Sequence, residues 1–171
     1  MDAKEFAERQ KYAHLVSRYA TPLAILVVAV GLALSPPRHP QREICLGLLI
    51  FGIVFNVTIT RILDHGGGAW LFKLRRWTNF FNNLVTVYLL GPYWTPIWLL
   101  VTLTPLATAI TGSRRSTIVT ATMTSVALII IHSTRGHNFC LEWGQQIIYA
   151  AYIFLISLMV NDLSLTARGK R

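Results

Sequence analysis

From Trp77 to Ser113 the chain runs for 37 residues without an Asp, Glu, Lys or Arg. A helix crosses about 30 Å of hydrocarbon in about 20 residues, so this run is nearly twice the length of one span. As one unbroken helix it would measure about 55 Å at a rise of 1.5 Å per residue. Midway lies GPYWTP, Gly91 to Pro96. Proline cannot donate to the helical ladder and its ring clashes with the preceding turn, while glycine accepts the dihedrals of a tight connection. Two readings follow: a turn between two spans, or a proline kink in one tilted span, which membrane helices tolerate.

Four other stretches lack Asp, Glu, Lys and Arg, and each is close to a single span: Tyr19 to Pro37, Ile44 to Thr60, Ser116 to Thr134 and Trp143 to Asn161. Only 13% of the residues are charged, where a soluble domain carries about a quarter. The chain reads as an integral membrane protein.

Charge sorting chooses between turn and kink, because short cytoplasmic loops collect Lys and Arg. A break at Gly91 to Pro96 makes six spans and puts both termini inside. The inner side then holds Lys4, Arg9, Lys11, Arg18, Arg61, Lys73, Arg75, Arg76, Arg114, Arg115, Arg168, Lys170 and Arg171, thirteen of sixteen basic residues. Arg38, Arg42 and Arg135 stay outside. Without the break the division is nine against seven. The six-span arrangement also places Trp94, Trp98 and Trp143 near the outer interface and Trp70 and Trp77 near the inner one, as aromatic belts require.

The expected fold is therefore all-α, a polytopic membrane bundle of six transmembrane helices with both termini cytoplasmic. Residues 1–18 read as an amphipathic cytoplasmic segment or an extension of the first span, 19–163 as the six-helix domain, and 164–171 as a cytoplasmic tail. No small-residue cleavage site follows the first apolar run, so the first span is expected to be retained. The net charge of +9 is a topology signal, with a modest attraction to anionic lipid headgroups. Spread over four short inner segments, it makes no nucleic-acid footprint.

Several polar side chains have to be accommodated within the bilayer. Asn56, Asn79, Asn82 and Asn83, with Thr58, Thr60 and Thr86, fall mostly in its inner half and read as an inner polar layer. Interhelical adhesion is one role for such a layer; a polar pocket or a switch is the other. Thr102, Thr104, Thr108, Thr120, Thr122, Thr124 and Ser125 can bond to their own preceding turns. The pairs Ala20/Ala24 and Ala121/Ser125 permit close helix approach.

The outer segment HSTRGHNFCLEW gathers His132, His137, Cys140 and Glu142, all with metal-ligand chemistry, but its spacing matches no standard zinc signature and leaves metal binding open. Cys45 and Cys140, the only two cysteines, both fall at the outer end of the bundle. A disulfide there needs Cα atoms within about 7 Å; two unpaired thiols are the alternative. His65-Gly66-Gly67-Gly68 looks like an esterase oxyanion loop, yet no G-x-S-x-G supplies a nucleophile, so it reads as a flexible inner loop and no enzyme motif is present. Haem within a bundle needs axial ligands there, and only His132 falls within a span. No cofactor is expected, with haem or a metal kept as alternatives.

The stretch LVTVYLLGPYWTPIWLLVTLTPLATAITGSRRSTIVTATMTSVALIIIH resembles the second half of the six-helix membrane sensor regions at the N-terminus of bacterial histidine kinases. The matching pieces are an outer turn at Gly91 to Pro96, small residues at Leu106 to Ala109, and an inner turn at Gly112-Ser113-Arg114-Arg115. Pro92, Thr95 and Ser113 depart from that pattern. The resemblance implies a bacterial inner-membrane bundle, homodimeric as such kinases usually are. It would detect a ligand or membrane state and pass a displacement of the sixth span to a cytoplasmic output module such as a kinase or cyclase, in cis or in trans.

An outer ligand site would then draw on Tyr93, Trp94, Trp98, His132, His137 and Trp143. The rival readings are a small transporter, channel or membrane-complex scaffold, and a haem-binding membrane anchor. The spans contain no Asp, Glu, Lys or Arg of the kind that proton-coupled transporters and pumps usually keep, which argues against transport but leaves a channel for neutral solutes open.

Overall fold

The computed structural model describes residues 3–68, 70–135 and 140–167, with side chains at 12, 18–68, 70–135 and 143–167. Its elements are α1 (Ala3–Leu34), α2 (Gln41–Asp64), α3 (Trp70–Leu90), a 3-10 turn (Thr95–Trp98), α4 (Leu99–Thr111), α5 (Arg114–Thr134) and α6 (Cys140–Ala167). Among the described residues the chain is all-helical, with no strand.

The 37-residue run is broken where proline and glycine predict. Helix α3 ends at Leu90, and the Gly91 amide still reaches the Val87 carbonyl (2.9 Å). Pro92 has no amide to continue the ladder, and the Tyr93 and Trp94 amides both turn back to the Leu90 carbonyl (3.0 and 2.9 Å). Pro96 then stands in the first turn of the 3-10 segment. The Asn83 side chain donates Nδ2 to the Leu100 carbonyl (3.1 Å) across the turn, so the chain folds back on itself.

The six-span expectation is met in part. Helices α2, α5 and the Trp143–Ala167 part of α6 are long and apolar enough to cross a membrane. Arg18–Leu34 and Thr95–Thr111 are apolar but shorter. Helix α3 is not among the span-capable helices, with Lys73, Arg75 and Arg76 in its first two turns and Asn79, Asn82 and Asn83 beyond. Helix α1 runs through Arg18 without a break, with Pro22 inside it.

Large apolar side chains are exposed along several helices, while several hydroxyl and amide side chains are buried among the apolar ones. In α2 the exposed side chains include Ile50, Phe51, Val54 and Val57, and in α6 Ile147, Ile148, Leu155 and Met159. The buried ones in α5 include Thr117, Thr120 and Thr124. Only 11% of the apolar window of α2 is buried. In water such a surface would cost tens of kcal/mol at about 25 cal/mol per Å²; hydrocarbon removes that cost.

The chain divides into two compact units, 1–101 and 102–171, with the boundary inside α4. In the first, α2 and α3 form a hairpin, and α1 packs against α2 and the 3-10 turn. The α2–α3 loop is closed by a helix-ending motif: the Gly66 amide bonds the Leu63 carbonyl, the Gly67 amide bonds the Ile62 carbonyl, and Gly66 takes φ +91°. That left-handed residue is why glycine stands there. Ile59, Leu63 and Leu71, with Phe55 and Phe72, pack beneath the loop.

In the second unit α5 and α6 pack as an antiparallel pair. Three contacts set their register: Arg114 with Asp162, the Ser125 hydroxyl donating to the Ala150 carbonyl, and His132 against Trp143. Ala121 is fully buried one turn before Ser125, the close approach that the small-residue spacing predicts.

Candidate functional site: polar side chains within the helical units

In the first unit the polar centre is Asn56. Its Nδ2 donates to the Gly52 carbonyl (2.8 Å) and to Asn79 Oδ1 (3.0 Å), while its Oδ1 accepts from Asn79 Nδ2 (2.9 Å) and Arg75 Nε (2.9 Å). Both amide hydrogens and both lone pairs of Asn56 are thus used. Thr60 donates to the Asn56 carbonyl (2.7 Å). Of the other two asparagines named from sequence, Asn83 bonds the start of α4, and Asn82 faces Gly52 while its Oδ1 is buried without a partner among the described residues. Arg75 was not visible as a member of this group, since from sequence it counts only as a loop charge.

The outer candidates divide between the units. In the first, Tyr93 donates its hydroxyl to Gln41 Oε1 (2.9 Å), and Trp94 lies against Gly31 so closely that a Cβ there would sit 2.8 Å from the indole. Trp98 is half-buried in the 3-10 turn. In the second, His132 is buried and meets Trp143 edge to face at 4.8 Å. His137 lies outside the described residues. Cys45 is a buried free thiol at the start of α2; the side chain of Cys140 lies outside those described. Among the described residues no three His, Cys, Asp or Glu side chains gather as a metal would need.

The second unit carries a polar seam that sequence inspection read only as packing. Thr108, Thr120 and Thr124 behave as expected, donating to the carbonyls of Thr104, Ser116 and Thr120, and Thr117 does the same to Ser113; Ser125, expected to bond its own turn, instead donates across to the Ala150 carbonyl of α6. The unforeseen residues are on α6. Asn161, fully buried, donates Nδ2 to the Ala109 carbonyl (2.8 Å), and Ser164 donates to the Ile110 carbonyl (3.1 Å).

Those two carbonyls lie in the last turn of α4, where helix geometry leaves acceptors without intrahelical donors. Helix α6 therefore caps α4 with side chains. The cap is needed because the chain turns at once: the Gly112 amide bonds the Thr108 carbonyl (2.7 Å), and Ser113 already caps α5. The available signal was Asn161 itself, a polar residue at the end of an apolar run, but nothing in the sequence says which carbonyl it meets.

Comparison with family models, with curated proteins and with solved structures finds no match to this chain.

Proposed function

We propose that this chain is a six-span, multi-pass membrane sensor with both termini cytoplasmic. It would bias the position of α6 in response to a ligand or membrane state and hand that displacement to a cytoplasmic output module. The observation that carries the reading is the attachment of α6 to the end of α4 by two side-chain hydrogen bonds, from Asn161 and Ser164. Interhelical hydrogen bonds in membranes average about 0.6 kcal/mol. Two of them define a position while leaving another within a few kcal/mol, the gap that a ligand with differential affinity can reverse.

The test joins the full chain, in helical register after α6, to a dimeric kinase output domain and measures phosphorylation in native-like membranes. Asn161→Ala and Ser164→Ala are expected to change output severalfold with insertion unchanged. Trp98→Ala or His132→Ala is expected to alter it from the outer side. Output unmoved by all four removes the sensing reading. Solute flux into proteoliposomes would support a transporter instead, and a Soret band a haem protein.

A further inference from the structure

Helix α3 divides its side chains between two faces. Arg75, Asn79 and Asn82 turn toward α2, the first two bonding Asn56 and the third lying against Gly52. On the opposite face Leu74, Trp77, Phe81 and Val85 are exposed and follow one another at helical spacing, and Trp70 opens the same stripe at the loop end. Two of these aromatic groups are held in place. Trp70 lies over Gly68, where a Cβ would come within 3.0 Å of the indole, and Trp77 stacks on Phe81 with ring centroids 6.1 Å apart.

Lys73 is exposed and stands one turn from each of Trp70 and Trp77. With Arg75 drawn to α2, the basic end of the stripe is made by Lys73 and by Arg76 three residues on. Side chains at that spacing are neighbours on a helix surface, and like charges there repel; an anion between them offsets the repulsion. The same end of the hairpin holds Arg61, Lys73, Arg75 and Arg76 against a single carboxylate, Asp64, the only Asp or Glu between Glu43 and Glu142. Beyond this cationic end the stripe is apolar from Leu74 to Val85, about 16 Å at 1.5 Å per residue. One leaflet of hydrocarbon is about 15 Å deep, half of the usual 30 Å.

We propose that the exposed face of α3 binds one anionic phospholipid of the inner leaflet. Its phosphate sits at Lys73 and Arg76, Trp77 lies beneath the headgroup, and an acyl chain runs along Leu74, Phe81 and Val85. A second copy of the chain suits this face less well. In a two-fold pair the same patch meets itself, so with both chains inserted the same way Lys73 would meet Lys73 at equal depth. The site requires α3 beside α2 in the bilayer and does not rest on signalling.

The test uses the full chain in phosphatidylcholine vesicles containing increasing amounts of phosphatidylglycerol with brominated acyl chains, which quench tryptophan fluorescence on contact. Quenching that saturates at a low fraction of the brominated phosphatidylglycerol is expected, whereas brominated phosphatidylcholine should quench only in proportion to its amount. Lys73→Gln, a change at an exposed position, should raise the phosphatidylglycerol needed for half-saturation about fivefold, the worth of one basic side chain at a membrane surface. Arg115→Gln removes the same charge from another inner turn and should leave it unchanged. Absence of saturation in the unaltered chain overturns the site, and an equal shift in both variants replaces it with a diffuse attraction to net charge. Competition by inorganic phosphate would assign the affinity to a free anion and overturn the lipid. Phe81→Cys in a chain otherwise free of cysteine, if it crosslinks two copies while quenching fails to saturate, gives the face to a second copy. Because lipid contact is read directly, a silent output assay does not bear on it.

Discussion

At the scale of single residues, Asn56 and Asn161 show how one side chain type does two jobs. Asn56 is saturated, shared by Asn79, Arg75 and its own helix. Removing it strips an acceptor from a charged guanidinium, where hydrogen bonds contribute about 1.5–3 kcal/mol, against about 1 kcal/mol for a neutral pair. Asn56→Ala is therefore expected to lower stability more than Asn79→Ala, in reversible detergent-induced unfolding followed by circular dichroism. Equal losses would mean that Arg75 draws little from Asn56. Asn161 is half-used, with one donor bonded and its acceptor free. Asn161→Ala orphans the buried Ala109 carbonyl, at a cost of about 1–3 kcal/mol. Ser164→Ala, half-buried, is expected to cost nearer 0.6 kcal/mol, about the membrane average for such bonds. The same unfolding assay orders them, and a reversed order would place the stronger attachment at Ser164.

Helices end here by three different devices, and the sequence announces them unequally. Helix α2 closes on the glycine cap at Gly66 and Gly67, so the glycine run that looked like a catalytic loop is a backbone requirement. Helix α3 ends at the proline turn, and Trp94 anchors that turn on Gly31 of α1. The short turn from α4 into α5 depends on Gly112, where a Cβ would lie 2.8 Å from the Thr108 carbonyl oxygen. That oxygen is backbone and has no rotamer to yield, so Gly112→Ala is expected to destabilise by about 1–3 kcal/mol, as overpacking does. Its loss should appear as a lower unfolding midpoint, and an unchanged midpoint would show that the turn can re-form around a methyl group. The α5–α6 pair was legible in outline from Ala121 and Ser125. Its partner carbonyl at Ala150 was not, because helix register depends on both surfaces at once.

For the whole molecule the many exposed apolar side chains agree with the low charge content. Three helices reach span length with sufficient apolarity, and the remaining three are short or carry charge in their first turns. The proposed six-span topology makes a direct prediction. After Cys45 and Cys140 are replaced by alanine, single cysteines at Arg38 and Arg135 should react with a membrane-impermeant maleimide from the outside of intact cells. Cysteines at Lys73 and Arg115 should react only after permeabilisation. If positions 115 and 135 label from one side, α5 does not cross and the six-span arrangement fails.

The sequence by itself determined the all-helical, membrane-type class of the molecule, the apolar stretches that its helices contain and the break at Gly91 to Pro96. Those follow from local facts: how far an uncharged run extends, and what proline and glycine do to a backbone. The tertiary structure alone decided that Arg75 joins the asparagine layer and that Asn161 and Ser164 cap α4. Each depends on two helices separated by tens of residues arriving at one place, and hydrogen-bond partners at that separation leave no periodic trace in the chain.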